Sequence, residues 1–240
     1  MATIEMTHPA RRSSAAEQPE PSLQVAGGIA ALLEGLALIA SSVFILGVAP
    51  AIGMKDSYWH EPSKAVPVIA AHQAFFVAAA LFAALTALIV FPVVTALHDR
   101  LRPLSPGLIT TATVLGVFGT ATEALNQLVT NAEVHVIGTF SRAFAEQAMP
   151  GSQIAYDATL GGAGLGLGVW TLLLSWVVIR KGGLPRWLGY FGVLVGITDF
   201  LALIGPPIGE VVSIPWFIAV GIVLMRAPAA VARSESQIGI

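Results

Sequence analysis

One stretch of the chain, TVLGVFGTATEALNQLVTN at positions 113–131, places a carboxylate and two amides inside an otherwise apolar segment. Small and polar side chains recur there at alternating spacings of three and four residues: Thr113, Gly116, Thr120, Glu123, Gln127 and Thr130. That spacing puts all six on one face of an α-helix, which we call the polar seam. Glu123, with Asn126 and Gln127 close by, could bind a cation or exchange a proton.

Polar or ionisable side chains also interrupt the other apolar runs of the chain. The candidate pocket residues are Glu34, His72, Glu123, Asn126, Gln127, Asp157, Asp199 and Glu210. An ionised carboxylate at the centre of a membrane-spanning helix costs about 2.5–3.5 kcal/mol. We therefore expect these groups to face one another, water or a ligand, and to line one pocket in which Glu123 is the main acid.

Positive side chains are missing from the same runs. No Lys or Arg lies within them before the terminal Arg226, so His72 is the one candidate counter-charge. Three arrangements remain open: neutral carboxyl groups hydrogen-bonded to amides and hydroxyls, a wet cavity open to the outside, or a bound positive species. The last arrangement predicts that the protein binds or transports a proton, a small cation, or a cationic or amphiphilic molecule.

The sequence is also compatible with two other classes of protein. An intramembrane metal-dependent hydrolase could use His72, Glu123 and Asp157, although the chain has no HExxH motif. A non-catalytic membrane scaffold would instead tie every polar group to a neighbouring helix. The chain has neither a nucleophile-elbow motif nor a cysteine, and no pattern in it indicates a cofactor or a resident metal. The balance favours a protein that is not an enzyme.

The composition predicts which elements hold these residues. Of 240 residues, 55% are hydrophobic and 11% are charged, against about 25% charged in soluble domains. Six apolar runs cover residues 24–50, 66–97, 107–131, 154–179, 187–205 and 208–226. Their lengths suit helices that cross the hydrocarbon, where backbone polar groups must be paired internally. We expect an all-α polytopic bundle of six transmembrane helices whose main partner is the lipid bilayer.

Basic residues near the ends of these runs indicate the orientation. With the N-terminus inside, the cytoplasmic segments hold Arg11, Arg12, Arg100, Arg102, Arg180, Lys181, Arg186, Arg226 and Arg233, and the outer segments hold Lys55, Lys64 and Arg142. The positive-inside rule then places both termini in the cytoplasm. The predicted domains are a disordered tail (1–23), the transmembrane domain (24–226) and a second cytoplasmic tail (227–240). The net charge of −2 gives no indication of a nucleic-acid partner.

Glycines at spacings of three and four residues mark candidate helix contacts. They are Gly161, Gly164, Gly168, Gly192 and Gly196. The run GGAGLGLG at 161–168 is similar to a phosphate-binding loop, but it lacks the Lys-Ser/Thr ending and lies inside an apolar run. Close approach of helix backbones is the interpretation that such small residues favour in a membrane.

Two long segments resemble a family of bacterial multi-pass membrane proteins, domain of unknown function 4386. They are ALFAALTALIVFPVVTALHDRLRPLSPGLITTATVLGVFGTATEALNQLV and LLLSWVVIRKGGLPRWLGYFGVLVGITDFLALI. The matching positions are Glu123, Asn126, Arg180, Gly183, Leu184, Pro185, Arg186, Leu188, Gly189, Ile208, Gly209 and Glu210. The resemblance implies six helices in the bacterial cytoplasmic membrane, and it implies no activity, cofactor or catalytic residue.

Overall fold

A computed structural model describes residues 20–201 and 208–238, and their regular secondary structure is helical. The helices are α1 (Pro21–Ala51), α2 (Pro62–Ala71), α3 (Gln73–Leu101), α4 (Pro106–Thr139), α5 (Arg142–Lys181), α6 (Arg186–Leu201) and α7 (Ile208–Ile238). Helix α1 contains a π-helical turn at Phe44–Val48. Short 3₁₀ turns lie at Asp56–His60 and Arg102–Leu104.

The helices differ from the predicted runs at His72 and between residues 132 and 153. The run 66–97 is two helices, because the backbone leaves the helical conformation at His72 (φ −124°, ψ 29°). The segment 132–153, which lies between predicted runs, continues α4 and α5 to a tight turn at Phe140 and Ser141. The Ser141 hydroxyl accepts the Phe144 N–H there at 3.4 Å, so it caps α5.

Six of the helices run alternately between two ends of a bundle. The basic end holds Arg100, Arg102, Lys181, Arg186 and Arg226, and the hairpin end holds the turn between α4 and α5. At the basic end, the Asp99 carboxylate accepts the backbone N–H of Glu20 at 3.0 Å and so ties the start of α1 to α3. Gly28 of α1 lies against Met225 of α7. The start of α1 and residue 225 are therefore at the same end.

Two turns at the basic end are joined by a pair of reciprocal hydrogen bonds. The Arg100 Nε–H donates to the Gly183 carbonyl oxygen at 2.7 Å, and the Lys181 ammonium donates to the Leu104 carbonyl oxygen at 2.8 Å. Gly183 has φ +86°, a conformation that favours glycine. Each turn thus supplies a cation that satisfies an end carbonyl of the other.

The buried apolar side chains form two cores. The main core fills the bundle between its centre and the basic end, around Leu97, Ile109, Trp170 and Leu224. The second lies at the hairpin end, where residues 49–76 cover α4 and α5 through Met54, Ile69, Val134 and Met149. Helix α5 has 40 residues and is about 60 Å long, about twice the thickness of the hydrocarbon layer. Part of α5 therefore lies outside any single membrane core that the helix crosses.

Four helices are long and apolar enough to cross a membrane: Pro21–Ala51, Gln73–Leu104, Pro106–Thr139 and Arg142–Lys181. Their outward faces carry exposed apolar side chains, including Leu36 (60% exposed), Leu85 (63%) and Val114 (63%). The described part of α6 has 16 residues, and the predicted run 187–205 continues beyond the described range. The apolar part of α7, Val211–Arg226, is also short. Six spans and cytoplasmic termini remain predictions.

The predicted tails lie at the margins of the described chain. Residues 1–19 are outside it, and α1 already begins at Pro21, within the predicted tail 1–23. Helix α7 continues to Ile238, through most of the predicted tail 227–240.

Candidate functional site

The polar seam of α4 lies inside the bundle, as its spacing predicts. Near the basic end, the Thr113 hydroxyl is 2.7 Å from Nδ1 of His98 on α3. One turn further on, Gly116 lies against the Trp170 ring, since a methyl group built on Gly116 would lie 2.9 Å from Trp170 Cδ1. The next members, Thr120, Glu123 and Gln127, line a cavity. The seam therefore packs at its basic end and faces open space at its centre.

This central cavity has a volume of about 280 Å³ and is bounded by α1, α3, α4, α5, α6 and α7. Its acidic side chains come from three helices: Glu34 from α1, Glu123 from α4 and Asp199 from α6. Gln127, Thr120, Thr171 and Ser213 are polar, and Tyr156, Trp170, Trp216 and Phe217 are aromatic. No Lys, Arg or His is among the described residues that line it. The cavity is therefore acidic and largely apolar.

Glu123 lies within reach of a second acid and of one amide. The Gln127 side-chain N–H donates to Glu123 Oε1 at 2.8 Å, from one turn along the same face. Across the cavity, the Glu123 and Asp199 carboxyl groups are close enough to interact electrostatically. Two negative charges in one cavity raise each other's electrostatic free energy, so the pair favours either a protonated acid or a bound cation.

Asp199 fits into a gap that two glycines leave open. A methyl group built on Gly209 would lie 2.6 Å from Asp199 Oδ1, and one built on Gly164 would lie 2.8 Å from the Asp199 carbonyl oxygen. The Ser213 hydroxyl is a long 3.4 Å from Asp199 Oδ1. The carboxyl group is thus positioned mainly by close backbone packing of α5 and α7, because its one described hydrogen bond is weak.

Glu34 is buried, with 6% of its surface exposed, and it lines the α1 side of the cavity. The neighbouring Gly35 lies against Ile218 of α7. Close contact at Gly35 brings α1 near α7 and so places the Glu34 carboxyl group beside the same space as Glu123.

Asn126 holds two helices together and does not line the cavity. Its side-chain amide donates to the Tyr156 carbonyl oxygen and to the Thr159 hydroxyl, each at 2.9 Å, and it has no exposed surface. Its contact with Gln127 is 3.5 Å, at the limit of a hydrogen bond. Asn126, predicted as a pocket residue, thus uses its donors to fix α5 against α4 and is not among the residues that line the cavity.

Three further candidates do not join the site among the described side chains. His72 is exposed at the break between α2 and α3, and Asp157 is exposed on α5. Asp157 follows Tyr156, which faces the cavity, and consecutive helical residues are turned by about 100°. His72 and Asp157, both predicted as pocket residues, are therefore not among the residues that line the cavity. The Glu210 side chain lies outside the described residues.

The positions of these residues also bear on the predicted metal site. Within residues 20–201 and 208–238, no three His, Asp, Glu or Cys side chains are grouped so that they could hold a metal ion. His72 and Asp157 do not line the cavity that contains Glu123, so the predicted three-ligand set is not assembled among the described residues.

Four of the five candidate packing glycines lie at the contact between α5 and α6 or beside it. A methyl group built on Gly168 would lie 3.0 Å from the Gly196 carbonyl oxygen, and one on Gly196 would lie 2.8 Å from that of Gly168. Gly192 lies against Ser175 and Trp216, and Gly164 against Asp199. Gly161 is half-buried on the same helix.

A second glycine contact was missed, and it joins α5 to α4. A methyl group built on Gly166 would lie 2.6 Å from Gly119 Cα. Gly166 lies within the run GGAGLGLG, so its type was a signal, but its partner was not readable from the sequence.

The aromatic lining of the cavity was also missed. The Trp170 and Trp216 rings are perpendicular, with centroids 6.1 Å apart, and Trp216 packs at 5.1 Å against Phe217. These residues lie in apolar runs and are buried like ordinary core side chains. Nothing in their spacing distinguishes a cavity wall from a filled core.

Several long apolar helices around a buried acidic cavity are the features of an α-helical membrane protein. Residues 26–233 match the family model described as "Domain of unknown function (DUF4386)", and the chain belongs to that family. No curated protein and no solved structure matches the chain significantly.

Proposed function

We propose that the chain is a six-span protein of the bacterial cytoplasmic membrane with both termini in the cytoplasm. The five basic residues of the basic end support that end as the cytoplasmic one under the positive-inside rule. Near it, Trp176, Trp187 and Tyr190 are each more than half exposed, and Arg180 stacks on the Trp176 ring at 4.7 Å. Exposed Trp and Tyr at one level are typical of a membrane interface.

We propose further that the central cavity binds a positively charged species, with or without moving it across the membrane. The observation that carries this proposal is the charge of the side chains that line the cavity. Glu34, Glu123 and Asp199 line one space, and no cationic side chain is among its described lining residues. A cation or an added proton would lower the electrostatic free energy of the three acids together. Glu123 is the principal acid, since Gln127 orients it and Asp199 lies within its field.

The two other classes are less well supported. A scaffold that ties up each polar group would leave no space beside Glu123, yet about 280 Å³ lies there. A metal-dependent hydrolase needs ligands that converge, and the proposed ligands His72 and Asp157 are on exposed surfaces.

Binding to the purified protein in lipid nanodiscs tests this function. The positive probes are Na⁺, tetramethylammonium and 2-naphthylethylamine, followed by calorimetry, and protons, followed by potentiometric titration. We expect at least one to bind the wild type, and Glu123→Gln to weaken that binding at least tenfold. Asp157→Asn is the matched control, because it removes an exposed acid outside the cavity and should leave binding unchanged. If no positive probe binds, or if Glu123→Gln binds like the wild type, the proposal is wrong.

A further inference from the structure

We infer that the occupant of the central cavity is an amphiphilic organic amine with an apolar body of about two rings and a polar group between body and ammonium. This inference rests on the proposed function and specifies its ligand class.

The size of the cavity favours an organic body over a bare ion. Its volume of about 280 Å³ is nearly twice the roughly 150 Å³ of an engineered cavity that holds benzene. The lining is mostly apolar, with Leu38, Val90, Leu160 and Leu167 among its members. Water in contact with such a surface is unfavourable, so an apolar body fills the space better than a hydrated ion.

Two of the acids, Glu123 and Asp199, lie at a different level of the cavity from Trp170. Asp199 lies level with Gly164, which is six residues from Trp170 on α5. Gly116 lies level with Trp170, and Glu123 is seven residues beyond it on α4. At about 1.5 Å per residue, Glu123 and Asp199 are roughly 10 Å along the bundle from the level of Trp170. That separation fits an ammonium group at one end and a ring system against Trp170, Trp216 and Phe217 at the other.

A hydroxyl without a partner lies between these two levels. The Thr113, Thr122 and Thr130 hydroxyls of α4 each donate to the carbonyl oxygen four residues earlier. Thr120 Oγ1 makes no hydrogen bond with the described residues, although the residue is only 1% exposed and lines the cavity. A buried hydroxyl normally has a partner. A polar group in the middle of the ligand supplies one.

The cavity reaches the apolar outer surface of α1. Ile45 lines the cavity and is 43% exposed, and its neighbours Val43 and Leu46 are 59% and 74% exposed. Ile45 lies in the π-helical turn, a feature that is frequent at functional sites. Access beside an exposed apolar surface suits a ligand that partitions into the bilayer.

Calorimetric titration of the full-length protein in nanodiscs tests the inference with four probes. They are 2-naphthylethylamine, its hydroxylated relative 2-amino-1-(2-naphthyl)ethanol, the neutral 2-naphthylethanol and tetramethylammonium. We expect the hydroxylated amine to bind best, and the neutral alcohol and tetramethylammonium to bind at least tenfold more weakly. Empty nanodiscs give the background from lipid partitioning.

Two variants locate the contacts. Thr120→Val keeps the side-chain shape and should abolish the advantage of the hydroxylated amine over 2-naphthylethylamine. Trp216→Leu should weaken both aromatic amines about tenfold and leave tetramethylammonium unchanged. If tetramethylammonium, Na⁺ or protons bind through Glu123 while neither naphthyl amine binds more tightly than tetramethylammonium, the inference fails and the proposed function stands. If Thr120→Val retains the full advantage of the hydroxylated amine, the assignment of the polar group is overturned.

Discussion

The Gln127 side-chain amide donates a 2.8 Å hydrogen bond to the Glu123 carboxylate from one turn further along α4. This bond is parallel to the helix and fixes the carboxyl group on the polar seam. The second oxygen of the Glu123 carboxyl group, Oε2, accepts no hydrogen bond from the described residues. Glu123 is thereby oriented by its own helix and presents one oxygen for a ligand or a proton.

Loss of this bond is expected to weaken ligand binding. Gln127→Leu removes the donor, and a hydrogen bond to a charged group contributes about 1.5–3 kcal/mol. We predict a roughly tenfold increase in the dissociation constant of the best-binding positive probe, measured by calorimetry. Gln147→Leu changes an exposed glutamine of α5 and should bind like the wild type. Equal affinities for the two variants would show that Gln127 does not orient Glu123.

Asn126 is predicted to matter for stability. Asn126→Ala removes two hydrogen bonds and leaves the Tyr156 carbonyl oxygen without that donor, so we expect the free energy of unfolding to fall by about 2–3 kcal/mol. Thermal unfolding in detergent measures the change as a lower Tm. The comparison variant is Asn131→Ala, a half-buried asparagine one turn along α4. A Tm within one degree of wild type for Asn126→Ala would contradict the role of this residue.

The glycine contact between α4 and α5 is expected to tolerate no side chain. Gly166→Leu would drive the new atoms into Gly119, and overpacking of this kind costs about 3 kcal/mol. The yield of monodisperse protein on size exclusion should drop sharply. Gly151→Leu makes the same change on the same helix at a position with nothing within 4 Å, and should behave like the wild type. Comparable yields from both variants would mean that α4 and α5 can move apart without loss of folded protein.

Removal of either basic side chain that joins the two turns at the basic end should destabilise the protein by a similar amount. Arg100→Ala and Lys181→Ala each delete one hydrogen bond to a turn carbonyl oxygen, which contributes about 1 kcal/mol at an exposed site. We expect each to lower Tm by a few degrees, and the double variant to show coupling because the bonds hold the same two turns. Arg102→Ala changes an exposed arginine in the same region and serves as the reference. Strict additivity in the double variant would show that the bonds act independently.

The orientation can be tested directly because the chain has no cysteine. Ser141→Cys places a thiol at the hairpin end, and Arg102→Cys places one at the basic end. A membrane-impermeant maleimide added to intact spheroplasts should label the first variant and not the second. Both should be labelled after the membrane is permeabilised. The reverse pattern would place the basic end outside and overturn the proposed topology.

The periodicity of α4 predicted the acidic centre of the site, whereas the wall around it was not predictable. The polar seam is readable because polar residues at spacings of three and four contrast with apolar ones on the other faces. The central part of α5, residues 160–170, offers no such contrast, because glycine and apolar residues occupy all of its faces. The inward position of Tyr156 and the outward position of Asp157, one residue apart, are therefore decided by packing against α4 and α6.

Other features carry no local signal at all. The interruption at His72 falls in AAHQA, which contains neither proline nor glycine, so the predicted run continued through it. Trp170 and Trp216 are as apolar as the residues around them, and their position beside a cavity follows from long-range packing. Asn126 was assigned to the pocket because it is close to Glu123 in sequence. Its side-chain donors, however, form hydrogen bonds with the neighbouring helix α5.

Helix α5 touches α4 through Gly166 and α6 through Gly168, within a single turn of its length. The backbones of α4, α5 and α6 therefore come into close contact within this turn, with almost no side chain between them. Helices that cross at an angle diverge in both directions from such a point. The open space beside Glu123 therefore depends on the absence of side chains at this contact, and a bulkier residue at Gly166 would change the shape of the cavity by moving α4 away from α5.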